Sequence, residues 1–239
     1  MSRRLVNLTL DTLEDLPARC RSCVFWELDP VAADRAVRAG DAELSKEAWA
    51  SQTLLEWGSC GKLVYVDEAP AGYVLFAPPA YVPRSVAFPT SPVSPDAVLL
   101  MAAHVVPDFA GGGLGRMLVQ GVARDLTRRG VKAIEAFGAE QPGTDESPTG
   151  RPGRRGAAAR RGVEQPSRRC ADPPSEHCVA PADFFRSVGF KTVRPHPRFP
   201  RMRMDLRTAL SWKSDVEAAL DKLLGSMRPD ALLHPVAHG

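Results

Sequence analysis

No stretch of this chain approaches the roughly 18 consecutive apolar residues that a membrane-spanning helix requires. Residues 1–8 (MSRRLVNL) are followed by the acidic DTLEDL at 11–16, where a secretory leader would need an apolar core. Membrane insertion and export are therefore not expected, and a cytoplasmic location is. Cysteine is scarce, with five in 239 residues, and the odd number argues against a secreted disulfide framework. A large charge of one sign is also lacking: 31 Lys and Arg against 28 Asp and Glu leave a formal net charge of +3. That sum says less than its placement. What is present is an ordinary globular composition, 44% hydrophobic and 25% charged, in a length that suits one domain with an appendage.

The most informative stretch is 104–129, HVVPDFAGGGLGRMLVQGVARDLTRR. It reads as a strand ending at Val106, a loop with three successive glycines, and a helix with apolar residues at Leu114, Met117, Leu118, Val122 and Leu126. Gly130 stops that helix. Strand, glycine loop and helix is the geometry in which backbone N–H groups and the positive end of a helix converge on an anion, and phosphate is the anion to expect. A nucleotide P-loop would need Lys and Ser or Thr after the last glycine, but Gly115 is followed by Arg116 and Met117. A dinucleotide fingerprint would need its strand at the head of a βαβ unit with an acidic residue after the next strand. Neither pattern fits.

Taken in order, 5–10 alternates as a half-buried strand, a helical region begins at Asp11 or Thr12, and 41–57 is an amphipathic helix closed by Gly58. Strands at 62–67 and 72–76 form a hairpin turning at 68–71. Six prolines between Pro78 and Pro95 make an irregular connection. A strand at 98–106 feeds the glycine loop, and 132–137 should lie parallel to it through a right-handed crossover. From 138 to 177 the pattern disappears. Seven arginines (Arg151, Arg154, Arg155, Arg160, Arg161, Arg168 and Arg169) alternate with Gly, Pro, Ala and Ser, Val163 is the one branched aliphatic, and no aromatic occurs. Such a segment cannot offset its ordering entropy, so it is expected as a disordered insertion; without stacking residues, nucleic-acid binding is not expected of it. A short helix after Pro181, a hairpin of 191–194 with 201–206, and a last amphipathic helix at 211–224 complete the chain.

The residues Val105, Val106, Pro107, Asp108, Phe109, Ala110, Gly111, Gly112, Gly113, Leu114 and Gly115 resemble the acetyl-CoA-binding motif V-x-P-[DE]-[FY]-[RQ]-x-x-G-x-[GA] of the GCN5-related N-acetyltransferases, the GNAT superfamily. The one departure is Ala110 in place of Arg or Gln. Phe184-Phe185-Arg186-Ser187-Val188-Gly189-Phe190 resembles the second hallmark, F-Y-x-x-x-G-F, with Phe185 at the usual Tyr. The resemblance implies an α/β (α+β) acyl-CoA N-acyltransferase fold, a mixed sheet splayed at the cofactor strand, occupying 3–207 and interrupted by 138–177, with a C-terminal helix at 208–226. It also implies acetyl-CoA as cosubstrate, an amine of a small molecule or protein as acceptor, and direct attack of that amine on the thioester. Cofactor contacts are expected from Val105, Val106, Ala110, Gly111, Gly112, Gly113, Leu114, Gly115, Arg116 and Phe185, and a side chain added at Gly113 or Gly115 should block the phosphate.

The chemistry needs a base, because an ammonium with a pKa near ~10.4 must lose a proton before it attacks. His104 and Glu135 are the candidates, the first for its titration range and the second as the one charge in an apolar strand. Asp108 reads more simply as a cap. With Phe185 no hydroxyl stands where the family's acid does, though a thiol of pKa near ~8.5 leaves tolerably as an anion. That loss, Ala110 and the arginine-rich segment motivate the alternative of a non-catalytic acyl-CoA-binding or nucleic-acid-associated protein. Cys20 and Cys23 form a C-x-x-C, with Cys60, Cys170, His177 and Cys178 as further thiols or imidazoles. No second C-x-x-C accompanies it, so a pair of structural thiols is expected and no metal.

Overall fold

The computed structural model describes residues 2–140 and 178–206. Most of the insertion expected at 138–177 and the helix expected at 208–226 lie outside the described residues, as do Cys170 and His177. Residues 138–140 are not part of any insertion: Gly138 N and Glu140 N donate to Pro200 O and Arg198 O, while Ala139 N donates to Ala180 O.

Among the described residues seven strands make one sheet, in the order β1-β2-β3-β4-β5-β7-β6. They are β1 (Arg3–Asn7), β2 (Gly61–Val66), β3 (Ala69–Ala77), β4 (Ala97–Val105), β5 (Ala133–Phe137), β6 (Lys191–Arg194) and β7 (Arg201–Asp205). All neighbours are antiparallel except β4 and β5. The helices are α1 (Ala18–Arg21), α2 (Pro30–Ala39), α3 (Ala42–Glu56), α4 (Leu114–Arg128) and α5 (Ala182–Ser187). This is the element order of the acyl-CoA N-acyltransferase fold that the motif resemblance implied. Among the described residues no helix is long and apolar enough to cross a membrane.

The sheet is covered on both faces, which is why β2 is buried along its whole length rather than alternating. On one face Leu63, Tyr65, Tyr73, Leu75 and Leu99 pack with Phe25, Trp26 and Trp49 from the N-terminal helical region. On the other, Val64, Val74, Phe76, Leu100 and Ile134 pack with Leu118, Val122 and Leu126 of α4. The strand period of two sends adjacent residues of β2 into different cores.

Three local expectations are corrected. The β2–β3 turn is the two-residue Asp67-Glu68, with φ of 46° and 67°, because Val66 pairs with Ala69. The helical region at 11–24 is a 3-10 turn, Asp11–Asp15, followed by the single turn of α1. Finally, α2 is an additional helix. Asp29 caps it by accepting from Val31 N at 2.9 Å and Ala32 N at 3.0 Å, and Pro30 occupies its first position.

Glu135 shows how the C-terminal hairpin is held. Its carboxylate is fully buried and accepts from Ser94 N at 3.1 Å, Arg201 at 3.0 Å and Arg203 at 3.3 Å, and Arg203 also pairs with Asp96 and Asp205. Removing one member of a buried ion cluster leaves its partners uncompensated, at a cost of about 3–5 kcal/mol. The guanidiniums here are partly exposed, at 14% and 19%, so a smaller loss of about 2–3 kcal/mol is expected for Glu135→Ala. Urea unfolding at neutral pH measures it; an unchanged midpoint would contradict this role.

Candidate active site

The site begins with a mismatch in strand pairing. β4 pairs with β3 as far as Val105, but with β5 only at Ala97, Val98 and Leu99. Just past that point Leu75 faces Ala102 while Phe76 faces Leu100, so Met101 is an extra residue in β4. A bulge of this kind bends and twists a strand. From Leu100 onward the edge of β4 that faces β5 has no strand partner among the described residues, and the two strands part. On the β5 side of this gap, Ala139 bridges Pro181.

At the wide end of the gap β4 runs into the glycine loop and α4. Gly111 and Gly113 have φ of 78° and 74°, the left-handed region that favours glycine. Gly113 is the N-cap residue of α4, and no side chain caps that end, so the first-turn N–H groups of Leu114, Gly115 and Arg116 are turned outward together. An anion is the natural complement of such a cradle. Arg3 contributes a cation that sequence reading missed: from the first strand its Nη1 donates to Gly112 O at 3.0 Å. Only the β1–β2–β3 ordering brings residue 3 to residue 112, so no local pattern announces it. Arg116 directs its guanidinium away from the helix axis onto Ser187 O at 2.6 Å, tying α4 to the end of α5.

Two of the expected cofactor contacts change character. A Cβ on Gly115 would lie 2.7 Å from Cε2 of Phe184, so this glycine makes room for a ring on α5, not for a phosphate. Phe185 is 1% exposed, its ring centroid 5.1 Å from Phe190 and 5.3 Å from Phe184, inside the α4-side core. The half-buried Phe184 is the ring that abuts the start of α4. The side chain of Leu114 is buried in the same core, leaving its backbone at the cradle. Val105 and Val106 are half-buried at the end of β4, while Ala110 lies exposed in the loop.

The opposite face of β4 carries His104. It lies across from Tyr73 in the β3–β4 register, with ring centroids 5.9 Å apart and tilted by 42°. Burial, and then the charge of Arg19, push the His104 pKa below its ordinary value, so the imidazole is neutral at pH 7 and able to take a proton. Tyr73 is 6% exposed, and burial and the neighbouring Cys20 thiol raise its pKa well above the usual, keeping its hydroxyl protonated. Beyond this pair the face is filled by a stack: Trp26 on Phe88 at 5.1 Å and Phe88 on Phe137 at 4.3 Å, all three nearly parallel. Glu135 and His104 are not brought together, because Glu135 pairs opposite Leu99 at the closed end of the gap and its oxygens are taken by Ser94, Arg201 and Arg203. It is therefore an architectural anion and is set aside as the base. Among the described residues no group of three or more His, Cys, Asp and Glu side chains is arranged to hold a metal.

No family model matches this chain, and no curated protein matches it. Solved structures do. The chain is similar to the loading GNATL domain of CurA from Lyngbya majuscula at 14% identity, covering 87% of this chain and 100% of that one, with a TM-score of 0.49. It is similar to the PaiA N-acetyltransferase of Thermoplasma acidophilum, solved in complex with coenzyme A, at 10% identity over 86% and 99% of the two chains, with a TM-score of 0.48. The third likeness is to YncA of Salmonella typhimurium, a putative acetyltransferase solved with its cofactor acetyl-CoA, at 13% identity over 86% and 95%, TM-score 0.48.

Proposed function

We propose that this chain is a GNAT-superfamily N-acetyltransferase that takes acetyl-CoA into the gap between β4 and β5 and transfers the acetyl group to an amine. The observation that carries the reading is the edge of β4 from Leu100 to Val105, without a strand partner on that side among the described residues, leading directly into a helix start with no side-chain cap. An extended amide-bearing arm can hydrogen-bond to that edge as a strand would, and its pyrophosphate then reaches the N–H groups of Gly111 to Arg116. Arg3 supplies the positive charge that Ala110 does not.

In this reading His104 accepts the proton of the incoming ammonium, directly or through one water. The amine then attacks the thioester carbonyl, the tetrahedral centre collapses, and the CoA thiolate leaves. Phe185 carries no proton for it. The Tyr73 hydroxyl, held protonated and across from His104 on the same face, is the group assigned to do so.

The acceptor amine is identified by release of free CoA thiol across a panel of small amines and peptides. His104→Gln is expected to lower turnover by about a hundredfold, within the range for loss of a general base, while acetyl-CoA affinity stays within about threefold. The pH profile gives the sign. Wild-type kcat/KM should fall on the acid side as His104 gains its proton, at a pH below the ordinary histidine value near ~6.5, and this limb should vanish in the variant. Binding of acetyl-CoA with no thiol release for any amine would favour a non-catalytic acyl-CoA-binding role instead.

A further inference from the structure

Cys23 and Cys178 are 155 residues apart in sequence, yet their sulfurs approach to 3.6 Å. Two buried donors fix the backbones that carry them. Lys46 Nζ donates to Cys23 O at 2.8 Å and Trp26 Nε1 donates to Cys178 O at 2.8 Å, and both donor residues are at most 5% exposed. The thiols themselves are half-buried and so within reach of a small reagent. The charged groups facing them are Lys46, with Glu27 as its counterion, and Arg84, stacked 4.3 Å over the Phe25 ring. Thiolate is the reactive form of such a thiol, and Lys46 and Arg84 are the cations that interact with it. Cys20, the other thiol of the C-x-x-C, points its interactions toward the Tyr73 hydroxyl instead. The proximity of Cys23 to Cys178 is thus a product of the fold and not of the motif.

We propose that Cys23 and Cys178 form a thiol–disulfide site, oxidised to a bridge by a small hydroperoxide and reopened by a dithiol. One thiolate attacks the peroxide, forming an S–O bond as the O–O bond breaks, and the departing alkoxide or hydroxide takes the proton that thiol gave up. The second sulfur then attacks the sulfenic sulfur. The S–S bond forms, the S–O bond breaks, and hydroxide leaves as water with the second thiol's proton. Two thiols and one hydroperoxide become one disulfide, one alcohol or water, and one water. Bringing the sulfurs to bonding distance requires an approach of roughly 1.5 Å, well inside the reach of side-chain rotation. The bridge would join the segment entering α5 to the loop after α1, across the face that holds His104 and Tyr73. This thiol chemistry does not depend on the acyl-transfer reading.

The test uses the full chain, reduced and then treated with graded hydrogen peroxide. Remaining thiols are alkylated under denaturing conditions and peptides are mapped by mass spectrometry. The expected result is loss of two alkylatable thiols and one cross-linked pair joining Cys23 to Cys178, with both thiols restored by dithiothreitol. Cys60 is an internal control: it is fully buried with its pKa pushed up to about 12, so it should remain a thiol. Cys178→Ser should lose the cross-link. The proposal is overturned if the bridge joins Cys20 to Cys23 or involves Cys170, or if sulfinic acid accumulates with no bridge. It is equally overturned if elemental analysis finds one zinc per chain and the thiols oxidise only after a chelator is added. The wild-type map decides the matter even if Cys178→Ser folds poorly.

Discussion

Gly113→Asp should lower acetyl-CoA affinity by at least about a hundredfold, some 2.7 kcal/mol, with little loss of fold. The conformational part is small, since a non-glycine residue at φ of 74° costs about 1 kcal/mol and Asp tolerates this region better than most. No atom lies within 4 Å of the added Cβ, so packing is undisturbed. The decisive part is charge: a carboxylate about 4 Å from a phosphate at an effective dielectric near 20 is opposed by about 4 kcal/mol. Calorimetry with acetyl-CoA, alongside the melting temperature, separates the two effects. Wild-type heat from a well-folded variant would end the assignment of the cradle. Gly115 is the wrong position for this test, because a side chain there strikes Phe184 and any lost binding would be confounded with lost packing.

The second large effect is on stability. Lys46 and Glu27 form an ion pair at 2.6 Å with side chains 6% and 1% exposed, and each makes one further bond, to Cys23 O and from Trp26 N. Lys46→Met removes the cation and strands a buried carboxylate, which is expected to cost about 4 kcal/mol. The double variant Lys46→Met with Glu27→Leu has no charge left to strand and should recover more than half of that loss. Denaturant melts of the wild type, both single variants and the double variant give the coupling; a double variant as unstable as the sum of the singles would contradict it. Burial is the largest single influence on Lys46 and opposes its charged form, but the Glu27 carboxylate, together with Cys23 and Cys20, outweighs it and raises the pKa above the ordinary value. A raised lysine contributes fully below its unfolded pKa and loses that contribution only as pH climbs through the folded one, so melts between pH 6 and 9 all report the intact pair.

The sequence is legible where structure is local. Three glycines between a strand and an amphipathic helix can be recognised because the φ values and N–H groups concerned belong to consecutive residues. The parallel partner at Ala133–Phe137 followed from its spacing. α2 was missed although Asp29-Pro30 and Gly40 punctuate it, because its buried face consists of Ala33 and Ala36, too small to register as an apolar stripe. Phe185 and Glu135 were misjudged for a common reason. A motif position or an isolated charge shows that a residue is constrained, while core burial for the one and an arginine pair from β7 for the other depend on which strands become neighbours. Arg3 beside Gly112, Tyr73 across from His104 and Cys23 against Cys178 exist only once register is fixed.

The short parallel contact between β4 and β5 has a mechanical consequence. Three residue pairs join a four-stranded half-sheet, built wholly from the chain before residue 106, to a three-stranded one built wholly after residue 132. The covalent connection between these halves is the segment 106–132, which is the glycine loop and α4. α4 packs against the first half, so it acts as a strap running from the wide end of the gap back toward the joined end. An anion gripped at the head of that strap is held at the open mouth, where a small change in the angle between the leaves separates them most.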